Sequence, residues 1–472
     1  MKNSTETTLV RALGIFTATL LVAGIMIGSG VFKKIIPMAQ TGLNETWILT
    51  AWVLAGIITM FGAFNLAGLS SLTEESGGVY EYLRLSFGNF FSFLFGWTDF
   101  TIIGTASVAA LAFIFSQTIN TLVPLPNPFQ QWQHISIGNF IYPFADSGIK
   151  LLAITTIVIL TWVNYRGVRE SGLLNNIFTS AKILGILIVI LLGLFYTPQS
   201  IQQQPEVAYT VRNTLHGSAF FSAFFMVMVS VFWAYDGWVD IAAITGEIKN
   251  PKRNVPLAII IGVSMATGLY VLVNYAYMKV LSLDKLAAVS ENEIGAAVVA
   301  KTLLGNIGQT MIIVLIMISV FGALNGVILS HTRIYFRMAQ EKFFFKKVAR
   351  IHPRHRTPHF ALLYTMVWSC ILVVSGTFDI LTDMVIFATF LFYGLLAAAL
   401  IKMKKNGRIK IKVTGYPVIQ VIIMLFSLTL LINTIVSQPK QCLTGLGLIL
   451  IGLPFYYYFR KENKGNDQKV IL

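Results

Sequence analysis

Hydrophobic residues in this chain run in long blocks separated by short polar connections, from near the first residue to near the last. Thr46–Thr73, Thr357–Phe378 and Val413–Pro439 contain no Asp, Glu, Lys or Arg at all. Each is long enough to cross a hydrocarbon core of about 30 Å as a helix. Membrane-crossing strands would instead leave segments of about ten residues with alternating polarity. The pattern predicts an all-α membrane protein of twelve transmembrane helices, roughly 9–33, 46–70, 87–119, 150–165, 173–195, 217–246, 254–280, 305–340, 359–378, 382–402, 414–436 and 441–459. The first ten, residues 1–402, are expected to form the core, with residues 403–472 supplying helices 11 and 12 and a tail.

Composition sharpens this reading. Of 472 residues only 12% are charged and 56% are hydrophobic, and the mean hydropathy is +0.72. A soluble chain would be about one quarter charged, so no separate soluble domain is expected. The net charge of +15 suggests nucleic acid until the charges are located. With the N-terminus inside, 26 of the 35 Lys and Arg fall on inward connections, including Lys249–Arg253, Arg333–Arg356, Lys402–Lys412 and the tail. Eight, among them Lys33, Lys34 and Arg212, fall on the outward side, and Lys182 lies within a helix. This asymmetry places both termini in the cytoplasm of a cell with the chain in its plasma (inner) membrane. The basic excess is an orientation signal and a contact for anionic lipid, with no nucleic-acid partner. Lys2 and Arg11 before an apolar run mimic a signal peptide, but further hydrophobic segments follow instead of a polar mature chain, so the segment reads as a retained first helix.

The connections carry little chemistry. Cys370 and Cys442 both lie in apolar segments and form no disulfide framework. The outward loop Asn120–Gly148 is rich in Pro, Gln and Asn and lacks cysteine. In the inward stretch Arg333–Pro358, Pro353 and Pro358 should interrupt any helix. His352, His355 and His359 sit beside those prolines with no cysteine or carboxylate close in sequence. A solvated basic loop is the better reading than a metal site, and no cofactor is implied.

Two segments are interrupted. The first contains Gly24-Ile25-Met26-Ile27-Gly28-Ser29-Gly30, and the sixth contains Trp233-Ala234-Tyr235-Asp236-Gly237-Trp238. They stand five segments apart, as broken helices do in carriers built from two inverted halves. Lipid cannot satisfy the peptide groups that such a break frees, so it must be buried or line a cavity. Gly28, Ser29 and Gly30 would open a half-helix whose N–H groups attract a carboxylate. The half-helices ending near Met26 and near Trp233 would offer carbonyls to an ammonium group. Together they fit the two charged ends of a small amino acid. Close helix packing by small residues is the competing explanation of Gly-Ser-Gly, and the matched break in segment six tips the balance.

Lys182 lies about 18 Å along segment five from Glu170 at 1.5 Å per residue. A charge at that depth calls for a partner inside the bundle. Its ammonium can stand where a sodium ion would otherwise hold helix 1 against a neighbour, or it can lose its proton during the cycle; snorkelling past Asn175, Asn176 and Thr179 is the bland alternative. Asp99 reads equally as an interfacial or a transport residue, and Asp236 as a helix cap, a bias toward cationic substrates or a proton carrier. Trp233, Tyr235 and Trp238 stand where a lid over a ligand would be.

The motifs resemble the amino acid–polyamine–organocation superfamily, from about residue 10 to 402. Gly24–Phe32 (GIMIGSGVF) is similar to its first helix, Ser76–Leu83 (SGGVYEYL) to its glycine-tyrosine signature, and Thr179–Gly185 (TSAKILG) to its lysine-bearing helix. Phe232–Pro256 and Phe321–Arg333 resemble the L-type branch and its bacterial permeases. The resemblance implies a leucine-transporter-like fold, with a 5+5 inverted repeat, helices 1 and 6 broken, and alternating access. It implies substrate contacts at Ile25, Met26, Gly28, Ser29, Gly30, Phe232, Trp233 and Asp236. The amides of Ser29 and Gly30 would take the carboxylate, and the carbonyls of Met26, Trp233 and Asp236 the amino group. Lys182, Trp233, Ser319 and Asn325 would serve coupling and gating, the last two as neighbours of the lysine. The sequence departs at Gly68, where an acidic residue is usual, and at Glu74, where proline is usual. Asp236 replaces a glycine of several L-type members, which leaves the substrate class open. Because the loop after helix 3 lacks the cysteine of L-type light chains, no disulfide-linked heavy subunit is expected.

The reading is therefore a sodium-independent amino acid permease, an exchanger or a proton-coupled symporter. A sodium-coupled symporter and a non-transporting amino acid sensor are the alternatives. An enzyme is disfavoured because no convergent catalytic set appears at membrane depth.

Overall fold

The computed structural model describes residues 11–137, 142–196, 215–289, 293–376 and 378–469. Lys2 and Arg212, counted above, lie outside these residues, as does part of the loop Asn120–Gly148. The described chain is helical throughout: α1 Ile15–Met26, α2 Gly30–Lys33, α3 Ile35–Gln40, α4 Glu45–Leu69, α5 Val79–Phe87, α6 Asn89–Thr98, α7 Gly104–Leu122, α8 Ser147–Arg166, α9 Val168–Leu194, α10 Gly217–Tyr235, α11 Pro251–Val280, α12 Leu283–Ala287, α13 Gly295–Gln340, α14 His359–Ser375, α15 Phe378–Lys405, α16 Val418–Ser437 and α17 Pro439–Lys469. Among the described residues eleven helical stretches are long and apolar enough to cross a membrane, and the apolar helix α14 is shorter, at 17 residues.

Helix packing sorts these elements into two groups. Helices α1, α4, α10 and α11 pack on one another, and α7, α8, α13 and α14 form a second set. Helix α9 touches both α1 and α13, and α15 touches both α4 and α7. Helix α16 lies at the rim against α15, with Val418, Leu425, Leu428 and Val436 exposed as lipid-facing residues would be.

Three local features shape the centre. The first segment is helical to Met26 and resumes at Gly30, continuing through Lys34, in the helical region, into α3. The sixth is helical to Tyr235, leaves the helix at Asp236 (ψ 161°), turns at Gly237 (φ 94°) and resumes as a 3₁₀ stretch, Asp240–Glu247. Between α6 and α7 the chain makes a π-helical turn, Asp99–Ile103, a feature that often re-aims a side chain at a functional site.

Asp99 departs from the interfacial option. It is 1% exposed and lies inside the bundle. The segment predicted at 87–119 also proves to be preceded by a separate helix, α5, ended by Gly88 at φ 87°.

Candidate functional site

The two breaks face each other. A Cβ added to Gly30 would lie 2.6 Å from Ala234 Cα, so only glycine lets α2 approach the end of α10 this closely. A Cβ on Gly237 would collide with Ile25. Trp233 Nε1 donates to Ser29 Oγ at 3.2 Å, and the Trp233 ring meets Phe378 edge to face at 5.9 Å. From α11 the Tyr270 hydroxyl sits 2.6 Å from the Met26 carbonyl and 2.8 Å from the Ala234 carbonyl, sharing one proton between the two broken ends.

Seven of the eight substrate residues named from the sequence line one small cavity of ≈ 30 Å³: Ile25, Met26, Gly28, Ser29, Gly30, Trp233 and Asp236. Phe232 points elsewhere, meeting Phe390 at 4.6 Å and Phe426 at 5.5 Å. The sequence reading did not foresee the other polar lining, Ser107 of α7, Asp240 and His331. A cavity of this size has room for a water or two, so an amino acid can enter only if the walls part.

Lys182 is completely buried. Its Nζ donates to the carbonyls of Gly24 (2.7 Å), Ile27 (2.8 Å) and Ser319 (2.8 Å), which takes all three of its protons. Ser319 Oγ also donates to the Ile27 carbonyl at 2.8 Å. Gly24 and Ile27 belong to the frayed end of α1, where carbonyls lose their intrahelical donors. The lysine thus ties that end to α13. Asn325, further along α13, accepts from Asn164 Nδ2 of α8 at 2.9 Å.

Below the cavity lies a charged cluster. His331 Nδ1 is 2.9 Å from Asp99 Oδ2, and its Nε2 is 3.2 Å from Asp240 Oδ2. Ser330 Oγ donates to Asp240 at 3.0 Å, and the Tyr335 hydroxyl to the Asp99 carbonyl at 3.1 Å. Asp236 accepts from the Tyr393 hydroxyl at 3.1 Å. All of these follow from the π-turn and the sixth-segment break, which aim Asp99 and Asp240 at one histidine. His331 is the one histidine in the run 306–340, ahead of Arg333 and Arg337, and an intramembrane ionisable residue is itself a signal; its partners, 232 and 91 positions away, are not readable from periodicity.

At the end of the bundle that carries the run Arg333–Arg356, ion pairs close the structure. Arg333 Nε bonds Glu247 Oε1 at 2.8 Å, with both side chains wholly buried. Arg337 reaches Glu81 (3.2 Å), Glu341 (3.0 Å) and Glu75 (3.4 Å), and Arg84 pairs with Glu81 at 2.7 Å. Burial opposes ionisation of Glu81, but the guanidiniums of Arg84 and Arg337 outweigh it and hold the carboxyl below its usual range. Backbone bonds join Leu13 to Glu247 (3.0 Å) and Lys249 to Leu13 (2.9 Å). The Ser76-Gly77-Gly78 motif has a similar role: Gly77 N donates to the Ala243 carbonyl at 3.0 Å, and a Cβ on Gly78 would lie 2.8 Å from Ala243 N. At the opposite end a cavity of ≈ 200 Å³ is bordered by Lys33, Lys34, Ser230 and Asp383. His352 and His355 pack around Tyr165, and among the described residues no set of three His, Cys, Asp or Glu is placed to hold a metal ion.

Apolar helices surrounding two broken ones, with a small polar cavity at the breaks, define a membrane carrier. The chain belongs to the amino acid permease family, whose profile matches residues 13–453. It is 29% identical to a serine/threonine exchanger (SteT) of Bacillus subtilis, over 96% of this chain and 98% of that one. It is 30% identical to the large neutral amino acids transporter small subunit 2 of Mus musculus, over 95% of this chain and 81% of the relative. It is 29% identical to the b(0,+)-type amino acid transporter 1 of Mus musculus, over 99% and 92%. The protein is a multi-pass membrane transporter and not an enzyme.

Proposed function

We propose that this chain carries amino acids across a plasma (inner) membrane without sodium, as an exchanger or a proton-coupled symporter. In this reading it crosses twelve times with both termini cytoplasmic, and residues 1–402 form a core of two inverted five-helix halves. The end closed by Arg333–Glu247 faces the cytoplasm, as the basic excess favours. Substrate enters from the opposite end, past Trp233.

The observation that carries the proposal is the Lys182 bridge. An ammonium bound to the Gly24, Ile27 and Ser319 carbonyls occupies the oxygens that a sodium ion would need. The amides of Ser29 and Gly30 then take the substrate carboxylate at the start of α2. Its ammonium goes to the carbonyls at the ends of α1 and α10. The Met26 carbonyl already accepts from the Tyr270 hydroxyl at 2.6 Å and from Gly28 N at 2.8 Å, so one of these donors must give way before that oxygen takes the substrate ammonium. The exchanger named among the relatives supports an exchange mode. One relative is named a small subunit; here the loop Asn120–Gly148 has no cysteine, and no disulfide-linked partner is proposed.

Counterflow into proteoliposomes preloaded with amino acids tests this. A panel of serine, threonine, leucine and arginine, with sodium replaced by choline, should show saturable uptake of at least one, indifferent to sodium. Uptake no greater than in protein-free liposomes would end the proposal, as would a sodium requirement. Ser29→Trp, which fills the carboxylate pocket, should abolish the signal.

A further inference from the structure

Both ring nitrogens of His331 face carboxylate oxygens: Nδ1 faces Asp99 at 2.9 Å and Nε2 faces Asp240 at 3.2 Å. A neutral imidazole has one N–H and one lone pair. With both carboxyls ionised it can bond one of them and must set its lone pair against the other, inside a site where an unmatched polar pair is costly. The contact geometry is satisfied when the ring carries two protons and donates to both.

The three residues also straddle the two helix groups. Asp99 and His331 belong to the set that contains α7 and α13, and the π-turn and α13 pack directly. Asp240 belongs to the continuation of the broken sixth segment, which is tied by backbone bonds to the start of the first. His331, Asp240 and Asp236 line the cavity at the breaks, and the same three with Asp99 line a second cavity toward the basic end. The charged groups bordering these two cavities, among the described residues, are Asp99, Asp236, Asp240 and His331. Tyr335 from the histidine's own helix and Tyr393 from α15 bond into the cluster as hydroxyl donors. Arg333, two positions along, is taken up by Glu247.

We propose that His331 is the proton-coupling group of this transporter, held as an imidazolium between Asp99 and Asp240 while the cytoplasmic end is closed. This deepens the transporter reading above and rests on it. When the inner part of helix 6 swings away to open the cytoplasmic end, Asp240 leaves with it and Asp99 stays. The Nε2–H bond then breaks and its proton passes to water in the opening. The ring remains neutral, with Nδ1–H donating to Asp99, and Asp240 is solvated as a carboxylate. On return, Asp240 closes the cytoplasmic end against the bare Nε2, and a proton then arriving from the outer side through the cavity at the breaks, which both residues line, restores the imidazolium. One proton moves inward with each substrate.

The test uses the full chain in proteoliposomes containing a pH-sensitive dye, with whichever of L-serine, L-leucine and L-arginine gives the higher counterflow. Net uptake by the wild type should acidify the lumen with about one proton per amino acid, and an inward gradient of one pH unit should drive up to about tenfold accumulation. In Asp240→Asn the amide can donate to a neutral Nε2, so the contact no longer needs the second proton; the proton-to-amino-acid ratio should fall toward zero. His331→Gln should behave the same way. A second measurement does not depend on transport. In a chain whose other five histidines are Gln, the ¹⁵N spectrum should show His331 as imidazolium at pH 7. A neutral ring there, or wild-type uptake with no proton movement, overturns the proposal while leaving the transporter reading intact. Absence of counterflow for every amino acid instead removes that reading.

Discussion

Replacing Lys182 by methionine keeps most of the side-chain volume and deletes three hydrogen-bond donors. The structure assigns the consequences carbonyl by carbonyl. Ile27 keeps the Ser319 hydroxyl at 2.8 Å. Ser319 lies inside α13, so its carbonyl retains its helical donor. Gly24 fares worst: the amide that would have closed its helical bond, Gly28 N, turns to the Met26 carbonyl at 2.8 Å. Lys182→Met therefore leaves one buried carbonyl with no donor and weakens two others. At about 1–3 kcal/mol for an unmatched buried group and about 1 kcal/mol for each weakened bond, the tie between α1 and α13 loses roughly 3–5 kcal/mol. Relief of the lysine's own desolvation offsets part of this, which brings the net to about 1–4 kcal/mol. The first helix would then no longer be held in its broken, substrate-receiving shape, and counterflow should fall by roughly fivefold to several hundredfold at about 1.4 kcal/mol per decade. Counterflow initial rates, with melting temperature in detergent as a folding control, measure both sides of this argument. A Lys182→Met protein that melts normally and exchanges amino acids at the wild-type rate would refute the bridging role.

Other substitutions probe the remaining contacts. In Gly30→Ala the new methyl meets the Ala234 backbone at 2.6–2.9 Å, so the two broken segments must move apart; a loss of about 1–3 kcal/mol is expected, read as a lower melting temperature together with lost counterflow, whereas Gly28→Ala, with its nearest neighbour at 3.5 Å, should be much milder. Arg333→Met leaves Glu247 charged and wholly buried and should cost about 3–5 kcal/mol, much of it recovered when Glu247→Met is added; a single variant as stable as the wild type would show that the pair is not dry. Because its carboxyl titrates below the usual value of 4.5, Glu81 contributes fully above that pH and loses its contribution as pH falls through the lowered value. The melting difference between wild type and Glu81→Gln should accordingly stay constant from pH 8 to about 5.5 and shrink only in stronger acid.

The membrane helices were legible because lipid imposes a one-dimensional rule: apolar length. The segments read at 254–280 and 359–378 correspond to Pro251–Val280 and His359–Ser375, and the start read at 305 coincides with the bend of α13 at Gly305, φ 64°. The break in segment one was legible because glycines mark it. The break in segment six was read slightly early, at its aromatic cluster: the helix runs on to Tyr235, and Gly237, with its positive φ, sets the turn. The resemblance implies a substrate contact at Phe232, yet adjacent residues on a helix face about 100° apart, and with Trp233 at the cavity Phe232 turns toward Phe390. Tyr270 and the Asp99–His331–Asp240 cluster depend on contacts between distant segments, which no local period encodes. A tyrosine and a histidine deep in apolar runs were nonetheless visible as groups needing partners.

The chemistry of the contacts divides along the line on which the molecule would move. Within the group that holds both broken segments, the ties include backbone bonds and tight glycine contacts, Leu13 with Glu247 and Lys249, Gly30 with Ala234 and Gly237 with Ile25, alongside the Trp233–Ser29 and Tyr270 hydrogen bonds. These are short and tolerate little sliding, so the two broken helices are built to travel as one piece. Between that piece and α13 the ties are side-chain ones, Lys182 and Ser319 at the top of the break, His331–Asp240 below it and Arg333–Glu247 lower still. Long polar side chains can exchange a protein partner for water or for a ligand at modest net cost, which a packed glycine contact cannot. The lysine ties the end of α1 at the cavity itself, while the two lower pairs close the route toward the end that carries the basic run. A rotation pivoting near Lys182 would therefore open the lower pairs in order of their distance from it, Arg333–Glu247 first and His331–Asp240 after, so that water reaches the imidazole only once the outermost buried pair has parted.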